Sequence, residues 1–416
     1  MNAPPPASDM PRTDDLPFQT PVAALHAGLK KRRARRTSLG IEIDELLANH
    51  HHSLKKEESR LYNNTPEFWP WKKKVQGLLR EQLIVPGALG QPSNPVLKKR
   101  IEHADFIEER MEISVTNNLR AGAIVTIPKN GKKKHPAVIL LHSLGSNVLY
   151  GKQKFLEYPG EPVHLTEYRQ ACYAGKSLLA EFAKAGFLCI SIDALGFGRR
   201  TLAASQDFAA FDEARKKADT PASEELSIQI VTDQGDQWSR GFRSVGLSIA
   251  AVTATDDMRA VDYLCTRDDV DTERIGCAGL SFGSFRANYL AALDDRVKAA
   301  VSACWISTQR GIVDYNIRFS MGHFANPPLF YNRFDMVDII LCAAPKPFLG
   351  ISGWGDTLME PCGIAEAHLA MREAWKAAGA ESNLGSLVLD AGHEFNIDMQ
   401  EQAKAFLHRA FVGNPG

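Results

Sequence analysis

The sequence predicts an α/β protein with a mostly parallel central sheet flanked by helices, a helical N-terminal extension and lid-like insertions. Short apolar runs typical of buried strands recur in the chain after residue 105. One of these runs leads through a turn into a segment with the apolar spacing of a buried helix, at residues 285–293. The predicted strands of this kind are residues 136–141, 186–193, 275–278, 347–352 and 385–390.

The first 104 residues are predicted to precede this sheet in two parts. Residues 1–36 form a flexible tail rich in proline and basic residues, and they lack the apolar core of a secretory signal. Residues 37–104 form a small helical module, because residues 41–47 have helical periodicity. Three adjacent histidines at 50–52 cannot all share one face and have no carboxylate or cysteine cluster beside them, so no zinc site is predicted.

The remaining chain, residues 105–416, is predicted to be one domain. A hairpin of residues 106–115 and 119–127, which turns through Asn117 and Asn118, begins its sheet. The segments that follow alternate predicted strands with helical patterns, as the α/β class requires.

A serine stands between two glycines where the predicted strand 275–278 meets the helix. In the sequence Gly279-Leu-Ser-Phe-Gly283, Ser281 would lie on a sharp turn that projects its hydroxyl, and the glycines would let neighbouring backbone pass without Cβ clashes. The pattern alone is weak evidence, because a plain surface turn can produce it. The strand before it and the helix after it favour a nucleophile elbow centred on Ser281.

An acid and a histidine follow this serine, each in the loop after a predicted strand. Asp356 lies in the glycine-bracketed loop 353–357, and His393 lies in the loop after strand 385–390. The chain order is therefore serine, aspartate, histidine, the order of an elbow-type catalytic triad. His393 would accept the proton of the serine hydroxyl, and Asp356 would fix the imidazole tautomer and stabilise the imidazolium.

Other acidic residues fit the role of the triad acid less well. Asp335 and Asp338 precede their strand instead of following it, and Asp390 lies inside the strand before the histidine. Glu394 adjoins His393 but would point elsewhere. Asp356 is therefore preferred, although a helix-capping role for it stays open.

Acyl transfer also needs hydrogen-bond donors for the oxyanion. The backbone amide of Phe282, directly after the serine, is one candidate donor. The amide of Leu144, in the loop after strand 136–141, is the second. Ser143 stands where this loop commonly has glycine, and His142 is interpreted as a buried structural histidine.

With these residues the chain resembles the α/β-hydrolases, nearest the acetyl xylan esterase and dienelactone hydrolase-like branches. The resemblance covers about residues 105–412 and implies the α/β-hydrolase fold and serine hydrolase chemistry. Ser143, Ser284 and the long N-terminal extension depart from the family pattern. Further segments that carry the resemblance are residues 186–199, 257–264, 270–276 and 292–299.

Two insertions, at about residues 199–245 and 309–335, fall at the carboxyl ends of predicted strands, where open α/β sheets have their sites. Both contain aromatic residues. We expect them to form a lid or a pocket wall, and local core packing is the alternative.

Composition limits the function classes. The formal net charge is zero, with 49 Lys and Arg against 49 Asp and Glu, so charge gives no indication of nucleic-acid binding. No segment approaches the ~20 apolar residues that span a bilayer. The seven cysteines lack C-x-x-C spacing, and they are interpreted as reduced, buried thiols in a cytoplasmic protein.

The sequence therefore predicts a serine hydrolase that cleaves a carboxylic ester of a small or medium organic acid through an acyl-enzyme. The chemistry requires no metal and no organic cofactor. Two alternatives stay open: an amidase or peptidase with the same triad, and a non-catalytic small-molecule binding protein on the same fold. Acyl and alcohol specificity and the formation of a homo-oligomer are also left open.

Overall fold

The computed structural model describes residues 38–61, 67–145, 148–201, 230, 233–316 and 330–412. Its strands are β1 (Val96–Glu102), β2 (Phe106–Ser114), β3 (Arg120–Pro128), β4 (His135–Leu141), β5 (Leu188–Ile192), β6 (Val270–Leu280), β7 (Val297–Ala303), β8 (Phe348–Gly353) and β9 (Leu384–Leu389). Its helices are α1 (Ser38–Ser53), α2 (Phe68–Leu83), α3 (Val163–Tyr173), α4 (Leu178–Lys184), α5 (Ser239–Ser244), α6 (Ile249–Cys265), α7 (Phe282–Leu293), α8 (Gln309–Asn316), α9 (Met336–Leu341), α10 (Pro361–Ala377) and α11 (Ile397–Val412).

The nine strands form one sheet in the order β1-β2-β3-β5-β4-β6-β7-β8-β9. The pairs β1–β2, β2–β3 and β3–β5 are antiparallel. The pairs from β5 through β9 are all parallel, which confirms the predicted mostly parallel sheet. The carboxyl ends of β4 to β9 therefore meet at one edge, where such sheets place their sites.

Two apolar cores cover the two faces of the sheet. Alternate residues of β4 belong to different cores: Ile139 packs in the first and Val138 in the second, as the period of a strand requires. Helices α2, α6, α7, α9 and α10 contribute to the first core, and α4 and α11 to the second. Because both faces are covered, the central strands are apolar throughout, which is why they could be recognised in the sequence.

The predicted hairpin is confirmed. β2 pairs with β3 along its whole length, and the turn Thr116–Asn118 between them has Asn117 in the left-handed conformation, with φ 48°. Asparagine tolerates this conformation better than most residues.

The N-terminal module differs from its prediction at its end. Helices α1 and α2 form, but residues 96–102 are strand β1, so the predicted boundary at residue 104 falls within the sheet. β1 is an edge strand with almost every residue exposed and with three consecutive basic side chains. An exposed, charged edge strand has no apolar alternation to recognise.

Helix α2 packs into the first core. Its buried residues are Phe68, Trp71, Val75, Leu79 and Leu83. On the same helix, the side chains of Gln76 and Arg80 donate hydrogen bonds to the carbonyl groups of Ala292 and Leu293 at the end of α7. The N-terminal module thus stabilises the C-terminal end of the helix that begins after Ser281.

Several predictions fall partly outside the described residues. These are the tail 1–36 and most of both insertions, namely residues 202–229, 231–232 and 317–329. None of the helices in the described ranges is long and apolar enough to cross a membrane. All seven cysteines are free thiols. Four of them are buried as predicted, Cys172 and Cys265 are half-buried, and the prediction is wrong for Cys362, which is exposed in the first turn of α10.

Candidate active site

Ser281 lies on a strained turn between β6 and α7. Its backbone has φ 58° and ψ −120°, a conformation that costs an L-residue of order 1–3 kcal/mol. A Cβ atom at Gly279 would overlap the backbone of Gly283, and a Cβ atom at Gly283 would overlap the carbonyl oxygen of Leu141. Both flanking positions therefore require glycine, as the predicted elbow demands.

The elbow is anchored to the next strand. The Ser281 N–H donates to the carbonyl oxygen of Ala303, the last residue of β7, at 2.8 Å. Ser281 is 9% exposed, so its side chain lies at the edge of the protein interior. Strain held in place by a tight backbone contact is typical of a functional turn.

His393 and Asp356 are brought together across 37 residues of chain. The Nδ1 atom of His393 lies 2.7 Å from Oδ2 of Asp356. The other carboxylate oxygen, Oδ1, accepts the N–H of Leu358 at 2.8 Å. Because a carboxylate only accepts hydrogen bonds, Nδ1 carries the proton and Nε2 has the free lone pair in the neutral ring.

The Nε2 atom of His393 is buried and has no hydrogen-bond partner among the described residues. A buried, unsatisfied ring nitrogen is costly unless it has a function or a ligand. Nε2 is the atom that would accept the proton of the serine hydroxyl in a triad.

Cys304 connects the loops of the site, and it is not among the site residues predicted from the sequence. It follows β7 directly, with φ 58°, and its Sγ donates to the carbonyl oxygen of Glu394 at 3.5 Å. Its neighbour Ala303 holds the elbow, so residues 303 and 304 join the serine turn to the histidine loop. The pairing of Cys304 with Glu394 spans 90 residues, and no local pattern reveals it.

Cys304, Asp356 and His393 offer ligand atoms within 4.8 Å of one another. The described contacts fit a hydrogen-bonded assembly better than a metal centre. Burial raises the pKa of the Cys304 thiol, so it stays protonated, and the Asp356 carboxylate already binds the histidine ring.

The competing acids lie elsewhere. Asp335 and Asp338 form a capping box at the start of α9, and Asp390 is exposed. The Glu394 carboxylate turns back to accept the N–H of Gly392 at 3.3 Å. Each of these acids therefore makes a structural contact or faces solvent, and only Asp356 among the candidate acids contacts His393.

The loop after β4 lies against the elbow, because the position of a Gly283 Cβ would touch the backbone of both Leu141 and His142. His142 is fully buried, and its Nε2 accepts the N–H of Ala194 at 3.1 Å. Burial and nearby Arg286 lower its pKa well below the usual range. The ring is thus neutral and donates through Nδ1 to the carbonyl oxygen of Ser143 at 3.0 Å, which agrees with a structural role.

Ser143 replaces the common glycine without strain in this loop. Its hydroxyl is buried and hydrogen-bonded to the hydroxyls of Tyr168 and of Tyr173, the latter at 2.7 Å. The left-handed position falls instead on Gly145, with φ 67°. The amide of Leu144 lies between these two residues, and the amide of Phe282 begins α7, where backbone N–H groups point out of the helix.

Tyr150 and Lys152, which follow the loop after β4, and the described aromatic residues of the insertions are mostly packed. Tyr150 is buried, so it is not part of a surface turn, and Lys152 forms an ion pair with Asp193. In the insertions, Trp238 and Tyr331 pack against the first core.

Three features place the chain in the α/β-hydrolase fold class: the mostly parallel sheet, the strained serine turn at its centre, and the aspartate and histidine at the ends of later strands. No protein-family model matches the chain. The chain is similar to the Bacillus subtilis protein named "Putative hydrolase YtaP", with 24% identity over 308 residues, which is 74% of this chain and 89% of that protein.

Two solved structures share the fold. The "putative acetyl xylan esterase" of Bacteroides fragilis has a TM-score of 0.61 at 18% identity, over 84% of this chain and 81% of its own. The glucuronoyl esterase from Solibacter usitatus has a TM-score of 0.60 at 16% identity, over 86% of this chain and 98% of its own.

Proposed function

We propose that the protein is a serine hydrolase that cleaves a carboxylic ester of a small or medium organic acid. The observation that carries this proposal is the state of His393. Its Nδ1 is bound to Asp356, while its Nε2 is buried without a partner among the described residues. The histidine loop and the strained turn of Ser281 are joined through residues 303 and 304.

In the proposed reaction, the Ser281 hydroxyl attacks the ester carbonyl and its proton passes to Nε2 of His393. Asp356 stabilises the imidazolium that forms. The amides of Phe282 and Leu144 donate to the oxyanion of the tetrahedral intermediate. The imidazolium then protonates the leaving alcohol, and water, activated by the same histidine, releases the acid from the acyl-enzyme.

The names of the similar structures support an ester over an amide. One is named an acetyl xylan esterase and the other a glucuronoyl esterase, so acetyl and glucuronoyl esters come first in a substrate panel. The free thiols support our further proposal of a cytoplasmic location.

The proposal is tested by fluorophosphonate labelling of the full chain, with peptide mapping of the adduct. The label is expected on Ser281 and is expected to be lost in Ser281→Ala. Ser284→Ala is the matched control, because Ser284 is a buried serine in the first turn of α7 whose hydroxyl contacts Ser302. A folded protein that takes no label and hydrolyses no ester would contradict the proposal and favour a binding protein.

A further inference from the structure

Lys154 lies behind the loop that carries Leu144 and binds it at two points. It belongs to the short 3₁₀ turn Lys152–Phe155 and is only 2% exposed. Its Nζ donates to the carbonyl oxygen of Ser143 at 3.0 Å and to that of Leu144 at 2.6 Å. The two carbonyl groups flank the amide that we propose as an oxyanion donor.

These two contacts fix the direction of that amide. In a planar trans peptide, the C=O of one residue and the N–H of the next point in opposite directions. The Ser143 carbonyl faces Lys154, so the Leu144 N–H faces away from it. Lys154 also binds the Leu144 carbonyl group. The peptide groups before and after Leu144 are therefore both held by contacts on the side opposite the Leu144 N–H group.

The position of the ammonium group is closely defined. It lies 5.3 Å from the ring centre of Tyr168 and 5.1 Å from that of Phe197, and a Cβ atom at Gly145 would be 2.9 Å from Nζ. Within the described part of the chain, no carboxylate forms an ion pair with Lys154. A buried cation without a carboxylate partner is costly, and the loop carbonyls are the acceptors that offset this cost.

We propose that Lys154 is a positioning residue for acyl transfer, which holds the Leu144 amide toward the oxyanion and strengthens it as a donor. A positive charge on the carbonyl oxygen of Ser143 polarises the peptide group, and hydrogen bonds in such a chain strengthen one another. The proposal depends on the serine hydrolase function proposed above.

The charge of Lys154 titrates in an accessible range. Burial lowers its pKa to about 7, against the effects of Cys172 and Asp193, while Arg286 lowers it further. As pH rises through about 7, the ammonium loses its proton and the polarisation weakens. The charged or titratable groups that interact with Lys154 are His142, Tyr168, Cys172, Asp193 and Arg286.

The test compares kcat and KM of Lys154→Met with the wild type, using an activated acetate ester. Removal of a direct oxyanion donor lowers kcat about 10²–10³-fold. For the indirect action of Lys154 we expect a decrease of about 10–100-fold in kcat, with KM changed less than about twofold. Affinity for a trifluoromethyl ketone, which forms an oxyanion at the same position, should fall in parallel with kcat/KM.

Lys346→Met is the matched control. Lys346 is also a lysine that binds backbone carbonyl groups; it is half-buried, and it donates to the carbonyl groups of Ala291 and Asp294, both at 2.8 Å. These contacts lie at the end of α7 opposite to Ser281, so this variant should keep the wild-type kcat. A Lys154→Met enzyme with the kcat of the Lys346→Met enzyme would overturn the proposal.

Lys154→Gln provides a second measurement if the methionine variant does not fold. Glutamine keeps N–H donors for the carbonyl groups but has no charge, so the decline of kcat above pH about 7 should disappear. A decline that persists in Lys154→Gln would overturn the proposal. Failure of the hydrolase function itself is distinguishable, because the wild type would then show neither ester turnover nor a label on Ser281.

Discussion

Asp356→Asn is the substitution for which the structure gives the clearest expected result. In the wild type, Oδ1 of Asp356 accepts the N–H of Leu358 at 2.8 Å and Oδ2 faces Nδ1 of His393 at 2.7 Å. An asparagine has one oxygen and one NH₂ group. Since the Leu358 N–H requires the oxygen, the NH₂ group must face the histidine.

An NH₂ group donates a hydrogen bond, so Nδ1 would have to accept it and the proton would move to Nε2. The histidine could then no longer take the proton of the Ser281 hydroxyl. The wrong tautomer, together with loss of the carboxylate charge, lowers kcat about 10⁴-fold in triads of this kind. This corresponds to about 5.5 kcal/mol in the activation barrier.

The assay is the steady-state hydrolysis of an activated acetate ester by folded protein, with Asp390→Asn as the control. Asp390 is an exposed acid close to the histidine in the chain, and its substitution should leave kcat within about twofold of the wild type. A decrease in kcat of less than about tenfold in Asp356→Asn would refute the tautomer argument.

Four further substitutions have expected results. Gly283→Ala should destabilise the fold by about 3 kcal/mol or more in urea unfolding, because its Cβ would overlap the carbonyl oxygen of Leu141. Gly77→Ala should instead stabilise the fold by about 0.5–1 kcal/mol, because Gly77 lies at an exposed position of α2 with open space around it. Burial lowers the pKa of His368 to about 3, so on acidification this histidine takes up its proton in the unfolded chain before it does so in the folded protein. The free energy of unfolding therefore falls between pH 6.5 and pH 3. His368→Gln should remove about 2 kcal/mol of the decrease in unfolding free energy between pH 7 and pH 5. Cys304→Ala should lower kcat more than it changes KM, since it releases the carbonyl group of Glu394 beside His393; equal effects on both constants would argue against this.

The sequence was informative where chemistry depends on order along the chain. Ser281 and Asp356 each follow a buried strand end, and His393 follows the half-buried edge strand β9, so the class of fold predicts that they lie at one edge of the sheet. Contacts made at long range had no such signal. The residues around Lys154 form no recognisable motif. Its contacts with the loop after β4 arise only in the folded chain. β1 was missed for another reason, since an exposed edge strand lacks the apolar pattern on which strand prediction depends.

The distribution of charge around the site agrees with the reaction we propose. Burial keeps several of the groups that hold the loops neutral: it raises the pKa of the Cys304 thiol and of the Tyr173 hydroxyl, and it lowers the pKa of His142. Of the charged groups among the described residues, Asp356 contacts His393 and Lys154 contacts the carbonyl group of Leu144. Acyl transfer creates an imidazolium and an oxyanion together. The Asp356 carboxylate stabilises the imidazolium, and the Lys154 ammonium stabilises the oxyanion through the Leu144 amide. A neutral ligand that is only bound would gain little affinity from this arrangement.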